Sequence, residues 1–109
     1  MKRRPTIYVA GPMTGLPKFN YPKFRRVAAA LRRKGWKVVS PVEIAEAMGL
    51  KEPVDVALLS YVVDVELRAL RGCDAIYALK GWEKSRGARK EMVVAIGFGL
   101  EIILEGVGR

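Results

Sequence analysis

Glu91 stands at the mouth of a long apolar run, six residues after Ser85 in the stretch SRGARKE (85–91). Ser85 suits the N-cap of a helix, and the unpaired backbone N–H groups of a first helical turn attract anions. Gly87 lets another group approach that turn closely, while Arg86, Arg89 and Lys90 add positive charge. A phosphate or a sugar hydroxyl fits such a place; so does an ordinary capped helix start with nothing bound. At roughly 100° per residue, Glu91 shares a helical face with Ala88, Met92, Ala95 and Gly99. Residues 92–100 are apolar all round, so most of this helix is expected to be buried. A glutamate on a buried face needs either a partner, such as Arg89 or Lys90, or a chemical task.

The chain has no histidine and a single cysteine, Cys73. This excludes Ser–His and Cys–His nucleophilic schemes, His-ligated metal centres, thiolate metal sites and an internal disulfide. No metal and no cofactor is expected. Acid–base work then falls to carboxylates, lysine, tyrosine or the lone thiol. Glu66 is the second candidate: it lies inside the apolar stripe of its helix, between Leu59, Val63 and Leu70, whereas Asp64 points away. Two carboxylates on helices flanking one strand can meet at that strand's carboxyl end, although Glu66 falls near the far end of its helix. Tyr8, in the first strand, is either a core aromatic or a hydroxyl that orients a carboxylate.

A net charge of +9, from 20 Lys and Arg against 11 Asp and Glu, attracts anions: nucleotides, nucleic acid or acidic lipid. The positive residues gather at 1–5, 23–26, 32–34 and 84–90, and no recognised DNA- or RNA-binding module contains them. With half its residues hydrophobic, the chain can build one modest core, which excludes disorder. No segment approaches the roughly 20 apolar residues of a membrane span, and the N-terminal apolar run is too short for a signal peptide. A cytoplasmic protein with no membrane partner is expected.

The elements that must position these residues alternate. Residues 6–10 read as a buried strand, 11–22 as a Gly- and Pro-rich loop, and 21–34 as a helix with Phe24, Val27, Ala28 and Leu31 at helical spacing. Strand 36–40 follows; residues 42–54 are ambiguous, a helical turn and then a loop around Pro53. A helix over 55–71, a strand at 74–79, a loop at 80–85, a helix to about Leu100 and a strand at 101–105 complete the chain. Right-handed βαβ units follow, hence a small open doubly wound parallel sheet of about four strands with helices on both faces. In such sheets ligands bind beyond the carboxyl ends of the strands, where the strand order reverses. The loops 11–20 and 80–85 should converge there. A second apolar patch, Leu58, Tyr61 and Val65, suggests a subunit contact. GPMTGLP is neither a Walker A loop nor a dinucleotide fingerprint.

Together, IYVAGPMTG (7–15), ELRALRGCDAIYAL (66–79), SRGARKE (85–91) and AIGFGLEIIL (95–104) resemble the nucleoside 2-deoxyribosyltransferase-like superfamily. More closely, the pattern GPMTG…NYP…GWEKSRGA…E resembles a small branch of it, common in phage and bacterial genomes, that is a domain of unknown function. The resemblance covers nearly the whole chain, residues 1–109, as one domain. It implies a flavodoxin-like or Rossmann-like sheet with strand order 2-1-3-4. In characterised members a glutamate at the position of Glu91 attacks the anomeric carbon and displaces the base. Ser85 matches a serine that helps hold the 5′-phosphate in related nucleotide N-hydrolases, and Tyr8 matches the strand-one tyrosine. Glu66 stands where the superfamily usually has aspartate, and Asp74 matches a recurrent acid of structural role. The resemblance also implies contacts to phosphate and sugar from Gly11, Pro12, Met13, Thr14, Gly15, Asn20, Ser85, Arg86, Gly87 and Ala88. Trp82 either stacks on the base or packs. The chain stops soon after the fourth strand, so the C-terminal extension with which the transferases complete a neighbour's site is not expected.

Breaking an N-glycosidic bond with retention needs a carboxylate nucleophile and an acid for the leaving base, groups that stand about 5 Å apart in retaining glycosidases. The expected function is cleavage of a nucleoside 5′-monophosphate through a glycosyl-glutamate, by a homodimer or larger homo-oligomer. Two other readings are a non-catalytic nucleotide-binding protein and a basic nucleic-acid-binding accessory protein.

Overall fold

The computed structural model describes residues 4–50 and 56–107, and the side chains of all of these except 56–61. Four strands, β1 (Thr6–Ala10), β2 (Lys37–Val39), β3 (Ala75–Ala78) and β4 (Glu101–Leu104), form one parallel sheet in the order β2-β1-β3-β4. Four helices connect or flank them: α1 (Tyr21–Arg33), α2 (Pro41–Ala47), α3 (Val56–Arg71) and α4 (Arg86–Gly97). This is the doubly wound α/β architecture expected from the alternating pattern. Among the described residues no helix is long and apolar enough to cross a membrane.

Period-2 alternation along β1 builds the two faces. Ile7 and Val9 join Ala75, Leu79 and the α1 residues Phe24, Ala28 and Leu31 in one core cluster. Tyr8 and Ala10 join Ile76, Ala78, Leu70 of α3, and Met92 and Ala95 of α4 in the other. Every β1 side chain is buried, so this strand is the spine of the domain. Phe24 is fully buried, and its loss to alanine should cost about 3–5 kcal/mol.

Three points extend or correct the expected elements. Residues 42–54 begin with a helix, α2, and the part of the loop around Pro53 lies outside the described residues. Ser40 caps α2 by accepting from the Val42 N–H at 3.3 Å, Pro41 occupies its first turn, and Glu43 follows. That serine–proline start is a helix signal by its chemistry, since proline has no N–H to lose there. Two bidentate ion pairs then fix α2 to α1: Arg25–Glu46 at 2.7 and 3.2 Å, and Arg32–Glu43 at 2.6 and 2.8 Å. Second, α4 is not buried all round. It ends at Gly97, Gly99 is exposed beyond it, and Val93, Ile96 and Phe98 are 68%, 63% and 60% exposed. Only the face bearing Ala88, Glu91, Met92 and Ala95 packs on the sheet. Third, the loop after β1 closes with Lys18, Phe19 and Asn20 in left-handed backbone, a conformation bulky residues rarely adopt. Of the second apolar patch, Val65 is half-buried, and the side chains of Leu58 and Tyr61 lie outside the described residues.

Candidate active site

The loops after β1 and β3 meet where the strand order reverses. The Leu79 N–H donates to the Ala10 carbonyl at 2.8 Å, continuing the β1–β3 ladder beyond the strands. A Cβ on Gly11 would stand 2.7 Å from Leu79 Cβ, so only glycine fits this close approach. Beside this crossing lies a cavity of about 510 Å³.

Two carboxylates face it. Glu91 lies in the first half of α4, only 8% exposed, and Glu66 reaches the same cavity from α3. Concern that Glu66 sits at the wrong end of its helix is therefore removed. Tyr8, fully buried on the α3–α4 side of the sheet, donates its hydroxyl to Glu91 Oε2. Among the described residues Glu91 makes no ion pair with Arg89 or Lys90; Arg89 instead donates to the Glu83 carbonyl at 3.3 Å.

Burial sets the electrostatics. Desolvation pushes the Glu91 carboxyl up to about 8; the Tyr8 hydrogen bond opposes this and the charge of Glu66 adds to it. Desolvation likewise raises Glu66 to about 7. Burial, then the charges of Glu91 and Glu66, hold the Tyr8 phenol well above its ordinary value, so it stays a donor. Near neutral pH such a pair holds about one proton between them, and its titration belongs to both groups. One ionised and one protonated carboxyl in one cavity is the equipment of nucleophile plus general acid.

The α4 N-terminus supplies the positive end. Ser85 Oγ accepts from the Ala88 N–H at 3.2 Å, the helix cap expected from its position. Ser85, Arg86, Gly87, Ala88 and Lys90 all line the cavity. A Cβ on Gly87 would meet no protein atom within 4 Å, so no packing inside the chain requires glycine there. The neutral to apolar part of the lining includes Gly11, Met13 and Thr14 of the first loop, Phe19, Tyr21 and Val62.

Not every expected residue arrives. Pro12, Gly15, Asn20 and Trp82 are not among the lining residues. Pro12 and Asn20 shape the loop, the Asn20 Nδ2 donating to the Pro12 carbonyl at 3.0 Å. Trp82 packs against the Tyr8–Leu70–Met92 cluster. Asp74 lies at the other end of the sheet, where its Oδ2 accepts from the Thr6 N–H at 2.8 Å and its own N–H donates to the Thr6 carbonyl at 2.8 Å. Conversely, Phe19 and Tyr21 line the cavity without having been singled out in the sequence, whereas Lys90, expected to add charge at the start of α4, does line it. Phe19 and Tyr21 flank Asn20, and Phe19 lies within the left-handed turn at 18–20.

The strand order and the likeness to a solved structure define an α/β protein with a nucleoside 2-deoxyribosyltransferase-like fold. The chain belongs to the family described as "Domain of unknown function (DUF4406)", whose model matches residues 5–104. Among solved structures, the chain is similar to a 2-deoxyribosyltransferase from the psychrotolerant bacterium Bacillus psychrosaccharolyticus. The TM-score is 0.70 at 19% identity, over 91% of this chain and 70% of that one. No curated protein matches the chain.

Proposed function

We propose that the protein is an N-glycosidase that cleaves the base–sugar bond of a nucleoside 5′-monophosphate through a covalent ester on Glu91. One observation carries this reading: Glu91 is buried against the Tyr8 hydroxyl in a cavity that it shares with Glu66 and with the cationic start of α4. In the first step a Glu91 carboxylate oxygen bonds to C1′ while the N-glycosidic bond breaks. The leaving base takes its proton from Glu66, so the reactive form is the one in which the proton shared by the pair has moved from the more basic Glu91 carboxyl to Glu66. Water or an acceptor then attacks C1′, gives its proton to Glu66 and releases Glu91. Tyr8 keeps the nucleophile's free electron pairs oriented throughout. Ser85, Arg86, Lys90 and the N–H groups of the first α4 turn would hold the phosphate.

The apolar surface of α4 at Val93, Ile96 and Phe98 supports association with a second copy of the chain. In this reading the protein works in the cytoplasm. The test is direct. Incubation with the common ribo- and deoxyribonucleoside 5′-monophosphates, followed by chromatography, should yield free base with the wild type and none with Glu91→Gln. Nucleotide binding without base release would instead support a sequestering protein. Base release that survives the substitution would remove Glu91 from the reaction.

A further inference from the structure

We propose that Phe19 supplies the stacking surface for the nucleobase, with Met13 and Tyr21 completing that wall. The inference rests on the nucleotide reading of the cavity and adds to it the residue that recognises the base. Among the described residues, Phe19 and Tyr21 are the only aromatic side chains that line the cavity. Trp82, the sequence candidate for this role, does not line the cavity and packs beside the second core cluster.

Phe19 has no comparable structural duty. It is half-buried, it belongs to neither core cluster, and it lies in a turn that contains no buried residue. Yet the backbone holds it at φ +53, between Lys18 at +52 and Asn20 at +61, where a bulky residue is rarely found. The Phe19 N–H donates to the Leu16 carbonyl at 2.9 Å, and Asn20 ties the turn to Pro12. A ring is thus fixed on the cavity wall without serving the core.

Tyr21 is braced from behind. The Arg25 guanidinium stands 5.8 Å from its ring centroid, and Glu46 holds that guanidinium with two hydrogen bonds. The wall of Met13, Phe19 and Tyr21 carries no formal charge, whereas the other lining residues include Glu66, Glu91, Arg86 and Lys90. Of the three parts of a nucleotide, the base is the one that suits an uncharged aromatic wall. The phosphate belongs with the cations and the anomeric carbon with the carboxylates.

The test measures binding in the Glu91→Gln background, so that no substrate is consumed. Two ligands are titrated: the nucleoside 5′-monophosphate that the wild type cleaves best, and ribose 5-phosphate, which has no base. Phe19→Ala and Phe19→Leu should each weaken the nucleotide roughly tenfold or more, the range of one base–aromatic stack, and leave ribose 5-phosphate unchanged. Phe19→Trp should restore nucleotide binding, because a ring is again present. Nucleotide affinity indifferent to all three substitutions, or equal losses for both ligands, overturns the role of Phe19 and leaves the proposed function standing. Failure of any nucleotide to bind before Phe19 is altered overturns both.

Discussion

Replacing Glu91 with glutamine should stabilise the protein, and do so only above acidic pH. In the unfolded chain this carboxyl ionises near 4.5, while burial in the fold pushes it up to about 8. Below 4.5 both states hold the proton and the group has no pH-dependent effect. Between the two values the unfolded chain gives up a proton that the folded chain retains, so stability falls as pH rises. Above 8 the loss is complete and constant. At roughly 1.4 kcal/mol per pH unit, the gap corresponds to about 5 kcal/mol as an upper bound. Glu66 ionises in the same cavity and solvent reaches both, so a gain on the order of 2–3 kcal/mol is expected for the variant. Glutamine keeps an oxygen to accept from Tyr8 and cannot ionise. For a domain of this size the gain is a rise in Tm of roughly 10 °C or more. Thermal or urea unfolding of both proteins from about pH 5 to about pH 9 provides the assay. The curves should nearly coincide at the acid end and diverge steadily with rising pH. Parallel curves, or a wild type that gains stability over this window, would refute the burial argument.

The other predictions concern neighbouring parts of the site. Gly87→Ala should raise stability by about 0.5–1 kcal/mol, because alanine is the better helix former. Its methyl would enter open cavity space, so kcat/KM should fall; an unchanged kcat/KM would show that substrate does not approach this turn. Arg86→Ala and Lys90→Ala should each lower kcat/KM for the 5′-monophosphate by roughly 10- to 100-fold, with little effect on the corresponding nucleoside. Equal losses on both substrates would place the phosphate elsewhere. Asp74→Ala removes the acceptor of the Thr6 N–H and should cost about 1–3 kcal/mol in urea unfolding. At a temperature where the variant is fully folded, kcat should be preserved.

Much of this arrangement was legible from residue types. The strict alternation of β1 places Ile7 and Val9 on one face and Tyr8 on the other, so a site on the α3–α4 side had to involve Tyr8 if it involved β1 at all. The small residues around Glu91 identify its inward face whatever the helix packs against. Helical periodicity also placed Glu66 on its core-facing side, but periodicity gives a face and not a position along the sheet. Whether Glu66 reached Glu91 therefore depended on how α3 lies across the strands. The same limit misled the reading of α4: an all-apolar sequence reports hydrophobicity, not which faces have neighbours, and Val93, Ile96 and Phe98 have few. Residues 42–54 lack a clear apolar period, so only a helical turn was legible where α2 runs, although Ser40, Pro41 and Glu43 carried its start signal. Phe19 was hidden for another reason. Nothing in PKFN announces three consecutive left-handed residues, a conformation imposed by the contacts of the loop with Leu16 and Pro12.

Whether Glu91 bonds to the sugar is open to direct measurement. A nucleoside 5′-monophosphate bearing fluorine at C2′ destabilises the oxocarbenium-like transition states on both sides of the ester and lets it accumulate. Intact-mass spectrometry after acid quench, followed by peptide mapping, should find the protein heavier by one fluorinated sugar phosphate. The added mass should lie on Glu91 and be absent from Glu91→Gln. Release of base with no adduct, or an adduct that persists in Glu91→Gln, would contradict the account.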